Sequence, residues 1–389
     1  MRRVLDILVG AAVNPDPNSG AAGTVMETSK ALAALGHRVE SIWADSLGRR
    51  IAHGNLHYIL ELPRAYRAAV RNRLARQHFD VVQLSQPHAW LAGKMLMRRP
   101  DRPLMVWRSH GLEAKVDAAM ARHAPLSPGP VRNLLRRLSA NRLEWAQRQA
   151  IRWSDGTIVP CEDDKAFLVE HFGAAPERVR VIWHGVPDEY IETPQSSDAG
   201  RWQRILHVSQ MSLNKGPGVM NEVAAQILAA HPQATMTWVC PEASHAGVLA
   251  ALPAALHGRV ELENWTSRQS LMALFDSHGL FLFPTLSEGA AKVVMEAMAR
   301  GMCVVSSDTS GPADYIRTGA NGWLVPVGES AAMVHAASAL LGDEASCGRM
   351  GSAAALAAHR FRWSRCANEA IDFYEELDAM RNVDKGKPQ

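Results

Sequence analysis

The 389-residue chain is 47% hydrophobic and 21% charged, enough for two ordinary domains with separate cores. Its net charge of +3 hides an asymmetry: residues 1–190 carry 27 Lys and Arg against 19 Asp and Glu, the remainder 15 against 20, so the halves are expected to meet different partners. Five scattered cysteines without a C-x-x-C pair argue against a disulfide framework and fit a reducing cytoplasm, no apolar run reaches the roughly 18 residues of a membrane span, and a low net charge without a binding module argues against nucleic acid.

The chain opens on Met1-Arg2-Arg3 and VLDILVGAAV (4–13). This has the outline of a signal peptide, but Asp6 interrupts it and a Pro/Asn/Gly loop follows, so it reads as a first buried strand. Further strands are expected at 39–44, 79–85, 103–109, 156–160 and 179–183, with helices over 22–35, 63–77, 88–98 and 130–153. His53 and His57, four apart without an acidic or cysteine partner, read as a surface pair rather than a metal site. The polar stretch Glu192–Gly200 reads as a linker. The cycle then restarts, with strands at 204–209, 235–240, 259–263, 279–284 and 303–307, and helices near 217–230, 267–276, 290–300, 329–341 and 363–381. Strands alternating with helices of this length mean parallel sheets covered on both faces, with ligands at the C-terminal strand ends. Two doubly wound domains are expected, over residues 1–190 and 200–362, with residues 363–389 packing back toward the first.

The most informative segment is PTLSEGAAKVVMEAMARGMCVVSSDTSGPADYI, Pro284–Ile316. A strand ends at Pro284, a polar loop carries Glu288-Gly289, and a helix is expected to begin near Ala290, its free N–H groups forming a seat for phosphate. Along such a helix Glu288 and Glu296 stand about 12 Å apart. That is too far to share a proton or a metal, but suitable for hydroxyls on two rings joined by a diphosphate. The plainer alternative makes Glu288 a helix cap and Glu296 an exposed helix residue.

Glu-Gly at the head of this segment and Glu-Ala-Met-Ala-x-Gly at its tail resemble the signature of retaining glycosyltransferase family 4. Weaker matches extend the resemblance over nearly the whole chain: NSGAAGTVMETSKALAALGHRVE, FDVVQLS, VRVIWHGV, HVSQMSLNKG and FRWSRCANEAIDFYEEL. The resemblance implies the GT-B fold, an α/β architecture of two Rossmann-like domains facing a central cleft. It also implies a nucleotide-sugar donor on the second domain and a glycan or lipid-linked acceptor on the first, in cell-surface polysaccharide or glycolipid synthesis. Glu288 would bind donor-sugar hydroxyls, Glu296 the ribose, and Lys215 the leaving diphosphate. Gly20 would admit backbone close to phosphate or sugar, with Gly23 a weaker candidate. His110, ending a strand, would lie near the transferred sugar, whereas His184 reads as structural. The family's arginine five residues before the lysine is Gln210 here, its Gly-Phe-Gly is Gly289-Ala290-Ala291, and its first-loop Gly-Gly is Ser19-Gly20. Gln210 can donate a hydrogen bond but carries no charge, so stabilisation of the leaving group would rest more on Lys215 and the helix dipole.

No Asp-x-Asp stands in a metal-binding context and no cofactor is expected. A dinucleotide oxidoreductase is disfavoured because the first loop lacks G-x-G-x-x-G. A nucleotide-sugar epimerase of the same fold, or a catalytically silent partner subunit, are the alternatives. The Arg-rich stretches 64–76 and 131–153, with Lys94, Arg98, Arg99 and Arg102, would suit peripheral docking on the anionic inner face of the plasma membrane, or are simply solvated helix faces.

Overall fold

The computed structural model describes residues 3–17, 19–52, 56–85, 87–123, 130–195 and 198–385. The chain forms two units, one of Met1–Asp117, Pro125–Gly185 and Trp363–Gln389, the other of Ala118–Ala124 and Val186–Arg362.

The first unit is built on six parallel strands in the order β2-β1-β3-β4-β5-β6. They are β1 (Asp6–Gly10), β2 (Arg38–Ile42), β3 (Val81–Ser85), β4 (Leu104–Arg108), β5 (Gly156–Val159) and β6 (Val179–Val181). Every residue of β3, β4 and β5 is buried, which is why these strands read as unbroken apolar runs and not as alternation. Helices include α1 (Gly20–Ala34), α2 (Leu62–Leu74) and α3 (Pro130–Arg152). The Ser19 hydroxyl caps α1 by accepting from the Ala22 N–H, and Gly36 ends it in a left-handed conformation (φ 91°).

The second unit repeats the plan in the order β12-β11-β10-β7-β8-β9, all parallel. Its strands are β7 (Arg204–Val208), β8 (Thr235–Val239), β9 (Val260–Glu263), β10 (Leu280–Phe283), β11 (Cys303–Ser307) and the short β12 (Trp323–Val325). Its helices include α4 (Pro217–Ala230), α5 (Lys292–Ala299) and α6 (Ser310–Tyr315). Met220, Ile227, Trp238, Leu280 and Val305 are among its fully buried core residues.

After the second unit the chain returns to the first as α7 (Trp363–Lys385). Trp363, Cys366, Ala370, Phe373, Tyr374 and Leu377 join Ile7, Val9, Val106 and Ile158 in one core. The fit is close: a Cβ on Gly156 would come 2.6 Å from Leu377, and the Tyr374 hydroxyl donates to Gln83 at 2.7 Å.

One boundary differs from the sequence expectation. The chain passes between units at Gly185–Val186, and the polar stretch placed as a linker begins within the second unit. Residues Asp188–Glu192 form a helix, and the buried Arg300 guanidinium donates to the carbonyls of Tyr190 (3.0 Å), Thr193 (2.8 Å) and Pro194 (2.8 Å). A single cation satisfies those carbonyls, so the segment needs no apolar periodicity to be held.

Candidate active site

In the second unit the strand order reverses between β7 and β10, so the loops leaving these neighbours diverge at a topological switch point. Lys215 lies on the first loop and Glu288 on the second. The loops interlock through Asn214, whose carbonyl accepts from the N–H groups of Leu286 (2.7 Å) and Ser287 (3.3 Å) and from the Thr285 hydroxyl (2.9 Å). Gly216 makes the approach feasible: its backbone is left-handed (φ 66°), and any Cβ there would come 2.0 Å from the Pro284 carbonyl. The result is an ion pair between the Lys215 ammonium and the Glu288 carboxylate, which lie 73 residues apart in sequence.

The Glu288 loop is pinned from its other side by α6. The Glu288 N–H donates to the Ser310 hydroxyl, the Gly311 N–H to the Gly289 carbonyl (2.9 Å), and the Tyr315 hydroxyl to the Ala290 carbonyl (2.9 Å). Among the described residues Ala291 (φ 49°) and Ser310 (φ 55°) are the non-glycine residues held in left-handed backbone, and both belong to this arrangement. Such conformations persist only where the surroundings impose them.

These contacts correct the expected start of the helix. It begins at Lys292, with Ala291 as its N-cap residue, and not near Ala290. Glu288 is therefore a loop residue and not a cap, and the 12 Å helical spacing to Glu296 does not apply. Glu296 is not an exposed helix residue either: it is 7% exposed, with the Lys292 ammonium 3.5 Å away one turn earlier. Burial raises its pKa, opposed by Lys292 and Arg268. Lys292 went unanticipated, although its i,i+4 spacing from Glu296 is a readable signal. Of the other residues singled out, Gly289, Ala290 and Ala291 form the pinned loop, and Gln210 is exposed just beyond β7.

Because the Glu296 carboxyl binds its proton more readily folded than unfolded, its own contribution to folding becomes less unfavourable as pH falls from neutral toward the carboxylate range, against the opposite trend of the buried histidines. Glu296→Gln should remove that dependence and raise the melting temperature of the ligand-free protein at pH 8 by roughly 2–4 °C. Differential scanning calorimetry from pH 8 to 5 checks this, and an unchanged pH profile would contradict it.

In the first unit Gly20 is the exposed first residue of α1, and beyond its chain neighbours and its own helix backbone nothing lies within 4 Å of where its Cβ would stand. Packing therefore places no demand for glycine there. Gly23 is buried on the same helix. His110 follows β4, half-buried, with its Nε2 3.1 Å from the Ser85 hydroxyl and its ring 5.6 Å from that of the buried His184. Burial, with the Arg108 charge nearby, holds the His110 pKa down to about 3, so it is a neutral hydrogen-bonding group at ordinary pH.

The reading of His57 as a surface residue without an acidic partner is overturned. It is 8% exposed and bonded through Nδ1 to Glu61 at 2.8 Å, the carboxylate one turn on, while His53 lies outside the described residues. The five cysteines are free and buried. Among the described residues no group of three or more His, Cys, Asp or Glu is placed to hold a metal ion.

Two family models match the chain: Glycosyltransferase Family 4 over residues 18–190 and Glycosyl transferases group 1 over residues 203–343. The chain is similar to the D-inositol 3-phosphate glycosyltransferase of Nocardia farcinica, 28% identical over 327 residues that cover 79% of this chain and 70% of that protein. Its fold matches sucrose-phosphate synthase from Thermosynechococcus elongatus with a TM-score of 0.77 at 19% identity, covering 97% of this chain and 100% of the other. It also matches the Anabaena HepE protein in complex with UDP and glucose, with a TM-score of 0.69 at 17% identity over 96% and 100% of the two chains. The interlocked loops thus stand at the switch point of a GT-B Rossmann-like half, and the chain belongs to the family 4, group 1 glycosyltransferases.

Proposed function

We propose that the chain transfers a hexose-type sugar from a nucleotide-sugar donor to a glycan or lipid-linked acceptor, with retention at the anomeric carbon, in the assembly of bacterial cell-surface polysaccharide or glycolipid. The observation that carries this reading is the delivery of Lys215 onto Glu288 by two interlocked loops at the switch point. A lysine there suits a diphosphate leaving group, and a carboxylate beside it suits the hydroxyls of the sugar that the diphosphate leaves. Glu296, buried next to Lys292, offers a second carboxylate for the ribose. Gln210 and the pinned Gly289-Ala290-Ala291 backbone add donor contacts from the second unit, while on the first unit Gly20 and the neutral His110 imidazole are assigned to the donor and its sugar by the family resemblance alone. The donor bond already carries a good leaving group, so positioning and electrostatics suffice, and the reading needs no metal.

Incubating the purified protein with UDP-, GDP- and ADP-sugars tests it. Saturable binding with acceptor-dependent release of nucleoside diphosphate is expected. Donor conversion without acceptor would mark an epimerase instead, and binding without turnover a silent partner.

On α2, Leu62, Tyr66 and Val70 are buried while Arg64, Arg67 and Arg71 are exposed, a basic amphipathic helix. This supports peripheral docking on an anionic cytoplasmic membrane face; the side chains of residues 121–139, within the other Arg-rich stretch, lie outside the described residues. Among the described residues no helix is long and apolar enough to cross a membrane. Sedimentation should show binding to anionic and not to neutral vesicles, lost near 1 M salt, where the screening length is about 3 Å. No binding at low salt would point to a soluble acceptor.

A further inference from the structure

The first unit holds a cavity of about 280 Å³, close to the lower bound of ligand sites, roughly 300–1,000 Å³. It is lined in part by Tyr58, His88, Trp90, Glu113, Arg142 and Trp145. His88 and Trp90 follow β3, Glu113 follows β4, and Arg142 and Trp145 lie on α3. The cavity is thus fed by the loops that leave the C-terminal ends of the central strands, the end at which His110 stands.

Two aromatic pairs shape it. The rings of Trp90 and Trp145 meet edge to face with centroids 4.9 Å apart, and those of Tyr58 and His88 lie 5.1 Å apart at 33°. Trp145 and Tyr58 remain 36% and 43% exposed, large rings left open to solvent beside a concavity. The Arg142 guanidinium lies 4.4 Å over the Trp145 ring. His88 is only 9% exposed, and its Nδ1 has no hydrogen-bond partner among the described residues. Burial keeps this imidazole neutral, with a pKa lowered to about 4.

A pyranose ring has the matching chemistry. Its axial C–H face packs on a flat aromatic ring, and its hydroxyl edge donates and accepts at once, which a carboxylate, a guanidinium and a neutral imidazole together satisfy. An acyl chain would strand those polar groups, and a phosphate would meet the Glu113 charge. Resting on the transferase reading above, we infer that this cavity seats one pyranose ring of a saccharide acceptor, with Trp145 as the stacking face and Glu113, Arg142 and His88 reading its hydroxyls.

The test is direct binding of methyl glucopyranoside, mannopyranoside and galactopyranoside to the full chain, by saturation-transfer NMR and calorimetry. At least one should bind saturably in the millimolar range. Trp145→Ala should weaken it about tenfold and Trp145→Phe should restore it to within about twofold. Trp145 is partly exposed, so the variants should fold, and circular dichroism verifies this. Nucleoside diphosphate affinity, measured on the same samples, should not change. In turnover the acceptor KM should rise about tenfold with kcat within about twofold. Absence of saturable glycoside binding, equal affinity in Trp145→Ala, or displacement of the glycoside by anionic vesicles would each overturn the assignment. Failure of nucleoside diphosphate binding alone would instead remove the transferase reading and leave the glycoside result to stand on its own.

Discussion

Lys215→Ala should lower sugar transfer by about 10²–10³, the scale of losing one preorganised group that stabilises developing charge. It should weaken nucleoside diphosphate binding by about 1.5–3 kcal/mol. The ion pair sharpens the companion expectation for Glu288. In the ligand-free chain the lysine is already engaged by that carboxylate, so a diphosphate must compete for it. Both side chains are partly exposed, at 20% and 18%, so the competition is modest. Glu288→Gln should therefore tighten nucleoside diphosphate binding about two- to fivefold while cutting turnover by a large factor, because the sugar loses its positioning carboxylate. The two substitutions move nucleotide affinity in opposite directions and turnover in the same one. Calorimetry with UDP, GDP and ADP alongside a product-release assay reads both. If the variants weaken nucleotide binding alike, Glu288 does not belong to the sugar; if Lys215→Ala leaves affinity unchanged, the lysine is outside the site.

Acid should unfold this protein well above the range in which carboxylates titrate. Burial depresses four histidines from the ordinary 6.5: His88, His207 and His278 to about 4 and His110 to about 3. Two lie in each unit. His207 is held by the Leu282 carbonyl (2.8 Å) and the Ser209 hydroxyl (2.7 Å), His278 by the Leu274 carbonyl (2.7 Å) and the Thr237 hydroxyl (2.8 Å). A group whose folded pKa is depressed gives stability that is fully present above 6.5 and is lost as pH falls toward the folded value. Unfolding in that window takes up as many as four protons, a slope approaching about 5 kcal/mol per pH unit at its steepest. Glu296, with its raised pKa, opposes this weakly. Urea titrations at pH 7.5, 6, 5 and 4.5 should show midpoints falling steeply below pH 6.5. A flat profile over that interval would mean that these imidazoles are not buried neutral.

The central strands β3, β4, β5, β10 and β11 were legible because they are buried on both faces, most of them as apolar runs, while the outer β2, β6 and β9 showed through their β-branched residues. The strand missed was β12, three residues between Gly322 and Pro326, too short to show any period. The helix Glu344–Ala358 escaped notice because EASCGRMGSAAALAA is mostly small residues with little contrast between faces. At the site, the informative segment was readable but its backbone was not. Alanine is the best helix former, so Ala290-Ala291 extends the apparent helix. Ser310, Gly311 and Tyr315, 20 or more residues later, hold that loop out of it. The Lys215–Glu288 pair depends likewise on a sheet order that no local pattern encodes. The polar Glu192–Gly200 stretch misled for the same reason, its tether being a distant arginine.

The return of α7 to the first unit bears on how the protein is made. A ribosome delivers all six strands of that sheet early, yet Trp363, Phe373, Tyr374 and Leu377 of the same core emerge only after the whole second unit has been made. The second unit is contiguous from Val186 to Arg362 apart from one short segment, and can close while synthesis continues. The amino-terminal half must meanwhile wait with Ile7, Val9, Val106 and Ile158 partly uncovered, the interval in which a chaperone would engage it. A released chain truncated after residue 362 should remain protease-sensitive in its first half and resistant in its second. The last helix, supplied even as a separate peptide, should close the gap.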